Sequence, residues 1–77
     1  MEIESLDVRP IAPVHKHQTI FARWQAIKVG AVLELINDHD PLPLYYQFEA
    51  EQIGKFEWEY LERGPEVWRV HIRRLAP

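Results

Sequence analysis

Along the chain, apolar and polar residues alternate, then recur at helical spacing, then alternate again, and this succession outlines six elements. From Ile3 to Arg9 the late alternation puts Leu6 and Val8 on one face and Asp7 and Arg9 on the other, which predicts a short strand. Pro10 and Pro13 break it. From about Val14 the residues Ile20, Phe21, Trp24 and Ile27 recur at three- and four-residue spacing, the pattern of an amphipathic helix, with Gly30 as its expected C-terminal stop. His17 precedes Ile20, Phe21 and Trp24 by three, four and seven positions, so the same stripe is expected to carry it toward the core.

Val32 to Ile36 is almost continuously apolar and reads as a central strand paired on both edges. Asn37-Asp38-His39-Asp40 ends it. Asp40 before Pro41 predicts a helix start, with the carboxylate accepting from the first amides and Pro41 in the first helical position. Leu44, Tyr45, Phe48 and Gln52 form its inner stripe and Gly54 closes it. Phe56-Glu57-Trp58-Glu59-Tyr60 then alternates strictly. After the Arg63-Gly64-Pro65-Glu66 turn, Trp68, Val70 and Ile72 point inward and Arg69, His71 and Arg73 outward, opposite Glu57 and Glu59.

The order is therefore β-α-β-α-β-β. A right-handed crossover makes the first two strands parallel and puts both helices on one face, while the last two strands form a hairpin in the same sheet. The expected class is α+β: a two-layer sandwich with two helices on a four-stranded mixed sheet, one domain over residues 1–77. Its open face, carrying Glu57, Glu59, Arg69, His71 and Arg73, is expected to be wet unless a partner or a second copy covers it.

Composition narrows the function classes. With 47% hydrophobic and 12% aromatic residues the chain can fill one core, so disorder is not expected. The net charge of −3 is spread evenly: residues 1–40 hold four Lys/Arg against six Asp/Glu, and residues 41–77 hold five against six. Neither half offers a cationic face for phosphates, so no nucleic-acid partner is expected. No apolar run approaches the roughly 18 residues of a membrane span and no leader pattern is present, so a cytoplasmic protein without a membrane partner is expected. These residues include no cysteine, which leaves oxygen and imidazole for any chemistry. Ser5 and Thr19 are the only aliphatic hydroxyls, and neither stands in a strained elbow or beside a base, so an enzyme is not expected.

Candidate chemistry gathers at one end. Parallel strands bring both strand-to-helix junctions, residues 9–17 and 37–40, to the carboxyl edge of the sheet, the usual ligand position in α/β folds. Arg9, Asp38, Asp40 and three of the four histidines fall there. One reading is a metal site, with His15, His17 and His39 as imidazole ligands and Asp38 or Asp40 as oxygen ligand, suited to zinc, iron or manganese. His15-x-His17 cannot place both rings on one helical face, so only one of them can face His39. The other reading is an anion site in which Arg9 and the helix N-termini hold a carboxylate, phosphate or sulfur oxyanion, opposed by the charges of Asp38 and Asp40. Arg9 is also expected to pair with Asp7 or Asp38.

The segments Leu6-Asp7-Val8-Arg9-Pro10, Asn37-Asp38-His39-Asp40-Pro41, Pro43-Leu44, Trp58-Glu59-Tyr60-Leu61 and Gly64-Pro65-Glu66-Val67-Trp68 together resemble a family of small bacterial proteins, the domain-of-unknown-function family 2249. That family looks related to the TusA/SirA-like sulfur carriers, and the resemblance implies their β-α-β-α-β-β sandwich. The carriers bear Cys-Pro-x-Pro at the start of the first helix. Here the corresponding stretch is Arg9-Pro10-Ile11-Ala12-Pro13, so the thiol that holds a persulfide is missing. Family members are similar to modules beside hemerythrin-like or cupin domains, which implies a metal or redox association. The motif implies a functional edge of Arg9, His17, Asn37, Asp38, His39 and Pro41. The leading expectation is a cytoplasmic accessory module that binds a protein partner or small ligand there. The alternative is a mononuclear metal-binding protein using His17, His39 and Asp38.

Overall fold

The apolar faces read from the sequence close on one another in a computed structural model that describes residues 2–77. The elements are β1 (Ile3–Asp7), α1 (Pro13–Ala26), β2 (Val32–Asn37), α2 (Leu42–Glu51), β3 (Phe56–Arg63) and β4 (Trp68–Arg74). The sheet runs β1-β2-β4-β3, with β1 and β2 parallel and the other two pairs antiparallel. The chain is thus an α+β fold with two helices on a four-stranded mixed open sheet. β2 is paired on both edges, as its apolar run requires.

Register lines up the inward residues: Leu6 faces Leu35, Leu35 faces Val70, and Val70 faces Tyr60. Ile20 and Trp24 of α1 and Leu44 and Phe48 of α2 cover that row, and all four are buried. Phe48 is the centre of the aromatic packing, stacked on Phe21 at 4.3 Å between centroids and edge-on to Trp24 at 5.1 Å. Rings continue from Phe48 through Trp58 and Tyr60 to Trp68. No helix among the described residues is long and apolar enough to cross a membrane.

Two boundaries differ from expectation. α1 ends at Ala26 rather than running to Gly30, and Ile27 turns extended (φ −77°, ψ 157°) to bury its side chain in the core. The Arg74 guanidinium compensates the shortened end by donating to the carbonyls of Gln25 and Ile27 at 2.6 and 2.8 Å. Gly30 instead occupies the positive-φ position (91°) of a turn closed by Ala31 N–H donating to Lys28 C=O. The second correction concerns Asp40. α2 begins at Leu42 with Pro41 at the cap and no side-chain cap, because the Asp40 carboxylate accepts instead from the Tyr60 hydroxyl at 2.8 Å. This bond ties the start of α2 to β3.

On the open face the outward acids and bases pair across strands between register partners. Arg73 donates to Glu57, while a bulge between Tyr60 and Glu62 brings Glu62 to Arg69. His71 lies between Glu59 of β3 and Glu34 of β2 in register, and its ring meets Glu34 at 2.8 Å. Glu34 interrupts the apolar run Val32–Ile36 of β2, and its bond to His71 holds its carboxyl below the usual carboxylate range.

Candidate functional site

The two strand-to-helix junctions meet as expected at one edge, around a cleft of about 120 Å³ lined by Lys16, His17, Asn37, His39 and Asp40 with a wall of prolines, Ile20 and Leu44. Its floor departs from the sequence reading. Lys16, Ile20 and Trp24 follow one another at four-residue spacing along the inner face of α1, so Lys16 is buried while His17 stands at the stripe's margin and is exposed. The expectation that His17 extends the buried stripe is therefore corrected: it is Lys16, at 6% exposure, that does so. The spacing was visible in the sequence, but a lysine was the less natural candidate for burial.

A buried ammonium needs acceptors. Asn37 is turned inward at the end of β2 and is itself buried, and its Oδ1 accepts from Lys16 Nζ at 3.1 Å and from the Asp38 backbone N–H at 2.9 Å. Asp38 stands 3.6 Å from the ammonium, close enough for an ion pair but too far for a hydrogen bond. Its carboxyl is held below the usual range, first by the hydrogen bond from His39 and then by the Lys16 charge.

Each histidine on the cleft has one nitrogen committed. The amide of Gln47 donates through Nε2 to Glu51, which leaves Oε1 as an acceptor, so His17 Nδ1–H donates to it at 2.7 Å. His39 Nδ1–H donates to Asp38 Oδ1, also at 2.7 Å. In both rings Nε2 is the atom left for a ligand.

The remaining predicted residues fall around this centre. Pro41 is buried in the lining. Arg9 is not in the lining: its guanidinium forms a two-point pair with Asp7, at 2.9 Å from Nε and 2.7 Å from Nη2, and this holds the Asp7 carboxyl below its usual range. His15 faces away, along the outer side of α1. Among the described residues no three His, Cys, Asp or Glu side chains come together as a metal-ligand group, so His17, His39 and Asp38 are not assembled as the expected set. His17 is drawn to Gln47 and His39 to Asp38.

The fold is an open two-layer α/β sandwich with a small cleft of mixed polarity over the ends of its two parallel strands. The chain belongs to the family of uncharacterized conserved proteins DUF2249, whose model matches residues 5–74. No curated protein and no solved structure matches it.

Proposed function

We propose that this chain is a non-enzymatic binding module that engages a small ligand or a protein partner at the edge formed by Lys16, His17, Asn37, Asp38, His39 and Pro41. One observation carries the reading. Both junctions place hydrogen-bonding groups of different kinds, an ammonium and two imidazoles with oriented tautomers, around a cleft that also has apolar walls. The lining includes no hydroxyl or thiol, which favours binding over serine-, threonine- or cysteine-type nucleophilic chemistry.

We read the element order as that of the TusA/SirA-like carriers in a bacterial, cytoplasmic setting, with ligand capture at the same edge in place of persulfide transfer. The chain has no cysteine, which supports this separation. The test is a set of backbone amide correlation spectra of the full chain, recorded against a panel of small carboxylates, amines and neutral amides. Saturable shifts confined to residues 13–20 and 37–44 are expected. Saturable shifts confined to the open sheet face, residues 57–73, would overturn the reading.

A further inference from the structure

Within that edge, Lys16 raises a specific question, because the fold places a charged amine where most lysines never go. An ammonium carries three N–H donors. Asn37 Oδ1 takes one, and this oxygen is already shared with the Asp38 backbone N–H. Asp38 lies beyond hydrogen-bond distance at 3.6 Å and turns its nearer oxygen to His39. Donor capacity thus remains on a side chain that is only 8% exposed and lines the cleft.

The other walls restrict what can use it. Lys16 is the sole lysine or arginine in the lining, and Asp40, whose Oδ1 accepts from Tyr60, contributes a negative charge. A doubly charged oxyanion would meet that carboxylate. A single carboxylate can take the ammonium donors that Asn37 leaves, in place of the exposed Asp38 carboxylate at 3.6 Å, and an attached alkyl group meets Ile20, Leu44 and the prolines. The volume of about 120 Å³, well below the roughly 300–1,000 Å³ of pockets for drug-sized molecules, is on the scale of a short-chain acid. Resting on the binding-module reading, we propose that the cleft is a receptor for a small free monocarboxylate, with Lys16 as the residue that binds its oxygens.

The experiment is a titration of the full chain with acetate, propionate and butyrate, followed by backbone amide spectra, with acetamide, ethylamine and inorganic phosphate as the contrasting probes. Saturable shifts at Lys16, Ile20 and Asn37 are expected for the carboxylates, with dissociation constants in the millimolar range set by so few atoms. Affinity should rise by about fourfold per methylene until the cleft is full. K16M and K16Q should keep dispersed, folded spectra and bind butyrate at least tenfold more weakly. Phosphate or ethylamine binding more tightly than butyrate, or acetamide binding as tightly, would overturn the carboxylate assignment and leave the binding-module reading standing. Butyrate shifts confined to the open sheet face would overturn both. Should the variants unfold, the ranking of the probes on the unaltered chain decides the matter alone.

Discussion

Replacing Lys16 by methionine separates a binding residue from a structural one, because the two roles predict opposite signs. The substitution keeps an unbranched side chain of similar length and removes the charge. The lost interactions are a hydrogen bond from a charged donor to Asn37, about 1.5–3 kcal/mol, and an ion pair with an exposed aspartate, about 0–1 kcal/mol. Against them stands the desolvation of an ammonium in a side chain 8% exposed, several kcal/mol. No partner is stranded: Asp38 is 53% exposed and keeps His39, and Asn37 Oδ1 keeps the Asp38 amide. The net expectation is a protein between unchanged and about 2 kcal/mol more stable. Urea unfolding should show a higher midpoint with an unchanged slope, and thermal unfolding a rise of up to roughly 10 °C. A loss of more than about 2 kcal/mol at constant slope would refute the reasoning and make Lys16 a structural anchor. Asn37→Ala supplies the complement: it should cost about 1–3 kcal/mol in the native background and distinctly less beside K16M, since the ammonium it satisfies is then gone.

Further outcomes follow from other parts of the fold. Gly64→Ala should destabilise by about 1–3 kcal/mol in urea and alter tryptophan emission, since Gly64 has φ 67° and an added Cβ would lie 2.7 Å from the Trp68 ring. The Tyr60 phenol is pushed up, first by burial and then by its bond to Asp40, so ultraviolet titration should find it above free tyrosine. Asp40→Asn should move it part of the way back, because burial remains. In acid, Asp7, Glu34 and Asp38 act together: each is depressed in the folded state, so the unfolded chain binds more protons. Stability should hold above the ordinary carboxylate range and fall as pH drops below about 4, with flat stability from pH 6 to 3 as the contrary result.

The fold was legible because period-two and period-3.6 patterns are written in side chains whose burial dominates, as in Trp58 and Tyr60 or Ile20 and Trp24. The right-handed crossover then located the edge before any coordinates. The details of that edge were not legible, for reasons specific to each residue. Asp40 has the chemistry of a helix cap, and only the packing of β3 against α2 shows that Tyr60 claims it. α1 stops early as Ile27 turns into the core, and the carbonyls at its end are taken by Arg74, 47 residues away from Ile27 in sequence. Lys16 and His17 are neighbours, and the choice between them depends on the phase of the helix against a sheet whose buried Asn37 can receive an ammonium. Asn37 was named from family resemblance, and its role emerged from that contact.

A crystal structure of the protein with butyrate is the decisive measurement. The carboxylate should lie in the cleft between the starts of α1 and α2, one oxygen about 2.7–2.9 Å from Lys16 Nζ, with the Asn37 contact retained and the alkyl chain against Ile20 and Leu44. Butyrate seated on Arg9 or on the open sheet face, with Lys16 turned out to solvent, would contradict the carboxylate assignment.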